Sequence, residues 1–191
     1  MTRNNGGRHT AAAGVLGAAA VATGLSAGVF YIFACAVMPA LARSDDRVFI
    51  EVMQNINEVI QNPVFFLSFL GAPLLTAVSA WQSRGRPGLR VWVAAALLAV
   101  VLALVVTVAA NIPLNNGLAD AGEPARIADP AAVREEFEDP WVAWNVVRAL
   151  LSTLALGCLV RALVVCGRTG RPREPQESAY LASAAGSSAS R

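Results

Sequence analysis

Two apolar segments of the chain carry polar side chains at helical spacing, and these side chains suit a buried binding site. In the segment 141–166, one helical face carries a polar set at intervals of four, three and four residues: Trp141, Asn145, Arg148 and Ser152. An arginine near the middle of a bilayer costs about 2.5–3.5 kcal/mol. Arg148 therefore needs hydrogen-bond acceptors inside the protein.

The second polar face lies at the end of the third apolar segment, in the sequence TVAANIPLNNGLAD. Thr107, Asn111 and Asn115 follow at steps of four residues, so they share one side of a helix. Pro113 lacks a backbone N–H and frees a carbonyl one turn earlier. The predicted topology places the end of the third segment at the same depth in the membrane as the first turns of the segment 141–166. We expect the two faces to meet, with amide oxygens accepting hydrogen bonds from Arg148.

Together these residues predict a cavity that is aromatic, cationic and polar at one wall. Glu51 or Glu58, which precede the second apolar segment, can supply the countercharge to Arg148. One alternative is open. Arg148 lies only seven residues beyond Trp141 and can instead extend its guanidinium to the lipid headgroups. The shared face with two amides and a tryptophan favours the cavity.

The composition places these residues in a membrane. Of 191 residues, 55% are apolar and only 15% are charged, which excludes a disordered chain and an ordinary soluble domain. The net charge is only +2 and the arginines are not interleaved with aromatic residues, so the sequence predicts no nucleic-acid binding. Membrane lipid is the expected surrounding.

Cysteine and histidine are too few and too scattered for a metal site. Cys35, Cys158 and Cys166 all lie in apolar segments, where we expect them to pack as apolar side chains. The single histidine, His9, lies in the polar N-terminal tail, so the sequence predicts no protein-held transition metal. The lack of a Cys-x-x-Cys pair excludes a quinone-linked thiol oxidoreductase, and residues 43–62 lack the cysteine pair expected of a junctional adhesion protein.

Four segments are long and apolar enough to cross a bilayer: 11–42, 63–82, 90–113 and 141–166. We therefore predict an all-α fold, a four-helix transmembrane bundle, with a four-span membrane domain over residues 11–168. Residues 1–10 are predicted to form a cytoplasmic N-terminal tail. The C-terminal tail 169–191 is rich in Pro, Ser, Ala and Gly, so we expect it to be disordered in the cytoplasm. The sequence leaves the oligomeric state open, and an oligomer is compatible with it.

Arginines set the expected orientation, because cytoplasmic loops of membrane proteins are rich in basic residues. Several arginines lie at the second connection and around the start of the C-terminal tail: Arg84, Arg86, Arg90, Arg168, Arg171 and Arg173. The first and third connections hold eleven of the 13 acidic residues. We therefore predict a multi-pass protein of the cell membrane, with both termini in the cytoplasm and an acidic outer face.

Residues 47–62 predict an amphipathic helix that leads into the second span. Its apolar stripe comprises Phe49, Val52, Met53, Ile56, Val59 and Ile60, and its polar stripe Glu51, Asn55, Glu58 and Asn62. The polar stripe either lies in water at the membrane interface or lines a cavity. Residues 116–140 form a turn-rich connection with one short predicted helix around Ala131–Glu138, and a loop of that length can act as a lid.

Four blocks of the sequence together resemble the anthrone oxygenase family, a family of four-helix integral membrane proteins. The blocks are GVFYIFACAVMPAL at 28–41, MQNINEVIQNPVF at 53–65, NIPLNNGLA at 111–119 and WVAWNVVRAL at 141–150. The resemblance covers residues 14–166. It implies a four-helix membrane fold and the oxidation of an anthrone to an anthraquinone with molecular oxygen, without metal or flavin.

The family pattern, carried over residue by residue, marks ten positions: Pro39, Asn57, Asn62, Pro63, Asn111, Pro113, Asn115, Trp144, Asn145 and Arg148. An anthrone is flat, apolar and acidic at the methylene opposite its carbonyl, and its anion can react directly with oxygen. The resemblance therefore implies a base, donors for the oxyanion and a dry apolar slot.

Each of these roles has an expected residue in this sequence. The oxyanion donors are expected to be Arg148, Asn145 and Asn115. The apolar slot is expected to comprise Trp141, Trp144 and Tyr31. Two further asparagines are expected to bind the substrate, Asn62 and Asn111. The expected base is Glu58.

The expected function is a cofactor-independent oxygenase that converts anthrone-like aromatic polyketides to quinones, with a small hydrophobic aromatic substrate and O2 as its partners. The alternative is a non-catalytic membrane module that binds or passes a lipid-like molecule through the same cavity. Oxygen consumption with a test anthrone distinguishes the two, because a binder leaves the compound to its slow background oxidation.

Overall fold

The computed structural model describes the backbone of residues 3–169 and the side chains of residues 10–168. Within this range the chain is helical and contains no β-strand. The α-helices are α1 (Arg3–Ile32), α2 (Met38–Leu41), α3 (Asp46–Val59), α4 (Pro63–Gln82), α5 (Pro87–Val106), α6 (Ile112–Asp120) and α7 (Pro130–Thr169). The predicted disordered tail lies, apart from Thr169, outside the described residues.

Among the described residues, four helical stretches are long and apolar enough to cross a membrane: Thr10–Leu41, Pro63–Gln82, Pro87–Asp120 and Pro130–Arg168. They coincide with the four predicted spans. Much of their apolar surface faces outward, and Leu67, Leu98 and Leu150 are each more than half exposed. Such a surface suits lipid and not water. The predicted all-α fold is confirmed, and the chain is a multi-pass membrane protein.

The bundle is built around α1, which packs between α4 and α7, while α5 packs against α7. The contact between α4 and α5 is smaller. The core is rich in alanine, including the fully buried Ala19 on α1, Ala96 on α5 and Ala155 on α7. Small side chains let helix backbones approach closely where no hydrophobic effect drives them together.

One end of the bundle is covered by a cap, which consists of α3 and of residues 117–140. Of the predicted apolar stripe of α3, Val59 is 73% exposed, while Phe49 and Met53 are completely shielded together with Ile50, which the stripe did not include. The three shielded side chains pack in one cluster with residues from α6, the α6–α7 connection and α7: Leu118, Ile127, Phe137 and Trp141. Helix α3 is therefore part of the packed fold, with its apolar face against protein.

Arg134, near the start of α7, is the central polar contact of the cap. It forms hydrogen-bonded ion pairs with Asp46 at 2.8 Å and with Glu138 at 2.6 Å. It also lies over the Phe49 ring at 4.6 Å and donates to two carbonyls of the connection that precedes α3. One side chain thus joins α7, α3 and the end of the first span.

Arg47 of α3 binds the connection between α6 and α7. It donates to the carbonyl of Pro124 and, at 3.0 Å, to the carbonyl of Ile127. These bonds fix the connection on α3. They do not fit the lid that the turn-rich sequence of residues 116–140 predicted.

Two helix boundaries differ from the prediction. Helix α7 begins at Pro130, so the short helix expected around Ala131–Glu138 is its first part. Proline fits the first turn of a helix, because its missing N–H has no intrahelical partner there. Helix α3 ends at Val59 and α4 begins at Pro63. The amphipathic helix therefore leads into the second span through a break and not as one continuous helix.

The first and third spans each contain a π-helical turn just before a proline. The turn Phe33–Val37 precedes Pro39, and the turn Thr107–Asn111 precedes Pro113. A proline cannot donate to the preceding turn, and local widening of the helix accommodates the missing bond. The irregular end predicted for the third span is confirmed. Both turns lie beside the cavity described below.

Asn62 is expected to stabilise α4 as its N-terminal cap. Its Oδ1 accepts a hydrogen bond from the Phe65 N–H at 3.0 Å, and its Nδ2 donates to the Val59 carbonyl at 2.9 Å. Asn62→Ala should therefore lower the free energy of unfolding by about 1 kcal/mol. Asn62→Asp, which keeps the capping oxygen, should lower it less. Thermal unfolding of the two purified variants measures the difference, and equal losses would contradict the capping role.

Candidate functional site

A cavity of about 200 Å³ lies between the cap and the end of the bundle. Its apolar lining consists of Val29, Phe30, Phe33, Ile56, Ile60, Phe65, Phe66, Phe69, Ile112 and Trp141. Its polar lining consists of Asn57, Gln61, Thr107, Asn115, Asn116, Asn145 and Arg148. Among the described residues that line the cavity, Arg148 is therefore the only ionisable side chain.

The apolar walls of the cavity are mainly aromatic rings. On α4, Phe65 and Phe69 are one turn apart and stack at 5.4 Å with nearly parallel planes. Phe69 meets Phe30 of α1 edge to face at 6.4 Å. Phe33 lies 5.5 Å from the Trp141 ring of α7. Rings from three spans thus form an aromatic slot, which suits an apolar aromatic ligand.

Arg148 is buried beside this slot, with only 6% of its surface exposed. Its guanidinium lies 4.4 Å from the centre of the Phe30 ring and 5.4 Å from that of Trp141. It donates to Asn145 Oδ1 at 3.0 Å, and its Nε has no partner within the described part of the chain. None of the ion pairs between described residues includes Arg148. Arg148 is thus a buried cation without a protein anion, and it does not extend to the headgroups.

Asn145 holds Arg148 in place and joins α7 to α1. Its side chain is 1% exposed. Its Nδ2 donates to the Phe30 carbonyl at 3.0 Å, while its Oδ1 accepts from Arg148. The same carboxamide therefore ties down the guanidinium and the residue whose ring lies beneath it. All members of the predicted α7 face are buried: Trp141, Asn145, Arg148 and Ser152.

The asparagines of the third span bind Trp141 and not Arg148. Asn115 Oδ1 accepts from Trp141 Nε1 at 2.8 Å, and Asn111 Nδ2 donates to the Trp141 carbonyl at 3.3 Å. The predicted hydrogen bonds from Arg148 to these amides are wrong. Trp141 occupies the Asn115 oxygen, the Asn111 oxygen has no partner among the described residues, and Arg148 donates to Asn145 on its own helix. Asn115 still lines the cavity, whereas the fully buried Asn111 does not.

Two aromatic residues expected in the slot lie outside it. Tyr31 is 62% exposed and Trp144 is 44% exposed, and neither lines the cavity. Successive residues of a helix point about 100° apart. Phe30 takes the inward direction, so Tyr31 points outward. On α7 the buried face is centred on Trp141 and Arg148, and Trp144 lies at its edge.

Glu58, Glu51 and Asn62 also differ from their expected places. Glu58 and Glu51 are exposed, so neither supplies a countercharge to Arg148. Glu58 lines a separate groove on the surface of the cap and not the cavity, which argues against its expected role as the base. Asn62 caps α4, as described above, and does not line the cavity.

Several residues of the site carry no clear signal in the sequence. Phe30, Phe65 and Phe69 form much of its wall, but phenylalanine at helical spacing is ordinary in a membrane span. On α3, Asn57 and Gln61 line the cavity, whereas none of the residues of the predicted polar stripe does. The family pattern marks Asn57, and that is the one signal which identified it.

The arrangement can bind a planar aromatic molecule that carries a negative oxygen. The rings provide flat apolar contacts, Arg148 provides an unneutralised charge, and carboxamides provide hydrogen bonds at one wall. Among residues 10–168 there is no group of three His, Cys, Asp or Glu side chains that could hold a metal ion. Carboxamide, hydroxyl and guanidinium groups are the polar atoms that this cavity offers to a ligand.

Comparison with known proteins gives a match to a protein family. Residues 59–158, which run from the end of α3 into the second half of α7, match the family model described as anthrone oxygenase. The matched region includes the two asparagines of the third span together with Trp141, Asn145 and Arg148. No curated protein and no solved structure matches the chain.

Proposed function

The chain belongs to the anthrone oxygenase family, and we propose that its cavity oxidises anthrone-like aromatic substrates to quinones with molecular oxygen. The observation that carries this proposal is the buried, unpaired guanidinium of Arg148 beside an aromatic slot. A buried cation is costly. An anionic substrate would neutralise it, and the reaction of an anthrone passes through such an anion.

Arg148 would stabilise the anion from which the reaction starts. Loss of a proton from the methylene group of an anthrone leaves a charge that spreads to the carbonyl oxygen on the opposite side of the ring. The guanidinium of Arg148, which lines the cavity, can donate to that oxygen. Because the walls around it are mainly apolar rings, the interaction is stronger than it would be in solution. Arg148 thereby makes the bound substrate more acidic.

The anion then reacts with O2 at the former methylene carbon. A carbon–oxygen bond forms, the electrons pass to oxygen, and the resulting peroxide takes up a proton. Loss of the second hydrogen from the same carbon, with cleavage of the O–O bond, gives the new carbonyl group and water. One anthrone and one O2 therefore give one anthraquinone and one H2O.

The first proton must leave without a protein base inside the cavity, because its described lining has no carboxylate or imidazole. We propose water as the acceptor, at the carboxamides of Gln61 and Asn116, which are exposed at the mouth of the cavity. Glu58 is not proposed as the base. In this mechanism the protein promotes proton loss by stabilising the product anion.

The dimensions of the cavity favour a small planar substrate. A dry cavity of about 150 Å³ accepts benzene, and pockets for drug-sized ligands measure roughly 300–1,000 Å³. A cavity of about 200 Å³ encloses one or two fused rings, and a further ring would extend into the mouth. Phe66 and Ile112 are partly exposed there, so an apolar substrate can enter from the lipid.

We also propose that the cap lies on the outer face of the cell membrane and that both termini lie in the cytoplasm. Arg84, Arg86 and Arg90 lie at the connection between α4 and α5, at the end of the bundle opposite the cap. Arginine-rich connections are retained in the cytoplasm. The acidic residues concentrated in the cap agree with an outer position.

Oxygen consumption by purified protein in lipid nanodiscs tests the proposed reaction. With anthrone as substrate, we expect a rate above that of empty nanodiscs, with one O2 consumed and one anthraquinone formed for each anthrone. Prior dialysis against EDTA should leave this rate unchanged. A rate equal to that of empty nanodiscs would contradict the oxygenase function and favour a module that binds or passes a lipid-like molecule.

A further inference from the structure

A second concave region adjoins the cavity on the surface of the cap. It is a groove of about 450 Å³ between α3 and α6. Four residues line both the groove and the cavity: Asn57, Gln61, Asn115 and Asn116. The two spaces therefore adjoin along residues that carry carboxamide side chains.

The chemistry of the groove differs from that of the cavity. Its walls consist of carboxamides and small residues, with the carboxylates of Glu58 and Glu123 at the surface. Glu123 is already paired with Arg126 at 2.9 Å. Each carboxamide both donates and accepts hydrogen bonds, which matches the hydroxyl group. The two carboxylates disfavour an anion.

One wall of the groove is held in shape from within. Gln54 of α3 donates to the carbonyls of Leu118 at 2.8 Å and Gly122 at 3.0 Å. These bonds fix the end of α6 against α3. Between the two spaces, the Asn57 Nδ2 is shielded from solvent and has no hydrogen-bond partner among the described residues. A shielded donor without a partner is unfavourable, and rotation of the Asn57 carboxamide towards a ligand oxygen in the groove would satisfy it.

Arg148 lines the cavity but not the groove. Its guanidinium lies 5.4 Å from the Trp141 ring, whose Nε1 binds Asn115 at the carboxamide boundary. A ligand whose oxyanion contacts Arg148 in the cavity would therefore direct its other end past the carboxamides towards the groove.

We propose that the groove binds a neutral, hydroxyl-bearing substituent on the ring remote from the oxyanion. The natural substrate is then an amphipathic molecule, with a planar ring system in the cavity and a hydroxylated extension, such as a sugar or a polyhydroxylated ring, in the groove. This inference rests on the proposed function for the position of the oxyanion at Arg148.

Binding of two matched probes tests the proposal without oxidation. The probes are 2-naphthol and 6-hydroxy-2-naphthyl β-D-glucopyranoside, which share the phenol and the ring system and differ by a sugar at the opposite end. Titration without oxygen into protein in nanodiscs should give a dissociation constant about five to ten times lower for the glucoside. A glucoside that binds no better than 2-naphthol would overturn the proposal.

Two variants, in each of which an alanine is replaced by phenylalanine, test whether the sugar binds in the groove. Ala119 is exposed and lines the groove but not the cavity, so Ala119→Phe should fill the groove and remove the advantage of the glucoside. Ala131 is exposed near the start of α7 and lines neither space, so Ala131→Phe is the matched control and should keep the advantage. Loss of the advantage in both variants, or in neither, would contradict a sugar in the groove.

The outcome is distinguishable from that of the oxygenase test. If the protein accelerates anthrone oxidation but does not prefer the glucoside, the groove assignment fails and the proposed reaction stands. If the glucoside is preferred but anthrone is not oxidised, the groove is a binding site and the proposed reaction fails.

Discussion

Replacement of Arg148 by methionine is expected to lower kcat for anthrone oxidation by about 10²–10³-fold, the usual cost of removing one donor from an oxyanion site. Methionine fills a similar space and keeps the contact with the rings of Phe30 and Trp141, but it carries no charge. The substrate anion would then lose its only cationic partner among the described residues of the cavity lining. Oxygen consumption with anthrone measures the loss.

The same variant should fold. Arg148 has no anionic partner among the described residues, so its removal leaves no buried charge unpaired. The Asn145 oxygen loses its donor at a cost of about 1–3 kcal/mol, and burial of an apolar side chain in place of a cation offsets this loss. We therefore expect thermal unfolding close to that of the wild type. Arg148→Lys keeps the charge but loses the planar guanidinium over the ring, and it should retain part of the activity.

Arg161→Met is the control for this prediction. Arg161 lies on the same helix, 5.7 Å from the Trp92 ring, and is exposed. Its loss removes an arginine–aromatic contact from α7 without touching the cavity, so the oxidation rate should stay near that of the wild type. Equal rates in the Arg148 and Arg161 variants would refute the role of Arg148, as would full activity in Arg148→Met.

Replacement of Arg134 by alanine should cause the largest loss of stability, about 2–3 kcal/mol in the free energy of unfolding. Arg134 is only 13% exposed and pairs with Asp46 and with Glu138, which is 19% exposed. Its removal leaves the Glu138 carboxylate mostly buried without a cation. It also removes the donors to two backbone carbonyls and the contact with the Phe49 ring. Thermal unfolding in detergent measures the loss.

Arg126→Ala is the matched control for the cap. Arg126 also pairs with a glutamate of the cap, Glu123, but both side chains are more than half exposed. Exposed ion pairs contribute about 0–1 kcal/mol, so this variant should unfold near the wild-type temperature. Comparable losses of unfolding free energy in Arg126→Ala and Arg134→Ala would show that burial is not the reason why the Arg134 contacts stabilise the cap.

The Arg134 variant should also weaken binding in the cavity. Ile56, Asn57 and Ile60 of α3 form its roof, and α3 is held to α7 through Arg134. A loosened cap admits water to the cavity, which reduces the attraction between Arg148 and an anion. We expect a higher KM for anthrone in Arg134→Ala, measured below its unfolding temperature, and an unchanged KM in Arg126→Ala.

Local patterns in the sequence were sufficient to predict the membrane spans and the polar face of α7 that forms part of the site. Continuous apolar stretches predict membrane helices because backbone groups in lipid must be paired within the helix. The four-residue and three-residue steps from Trp141 to Arg148 predict a shared face because the helical period is fixed. Pro113 predicted an irregular helix end for a similar reason, since a missing N–H disrupts the local bonds wherever the helix packs.

The sequence did not determine which groups meet across helices. Arg148 and the third-span asparagines were expected to bind each other, yet Asn145 holds the guanidinium and Asn115 holds Trp141. Tyr31 and Trp144 were expected inside and lie outside, while Phe30 and Phe69 form the wall. These outcomes depend on the rotation of each helix about its own axis and on its height relative to its neighbours. The rotation and the height are both set by packing over the whole bundle. The hydrophobic pattern of a single segment does not encode them.

The sequence by itself therefore determined that this protein crosses the membrane as a bundle of helices and carries an arginine within one of them, because hydrophobicity and helical period act within a single segment. Only the tertiary structure decided that the cation faces an aromatic cavity without a carboxylate, and that a groove lined by carboxamides adjoins it. Contacts between helices distant in the sequence create those features, and the choice of contacts depends on how all the side chains fill the space together.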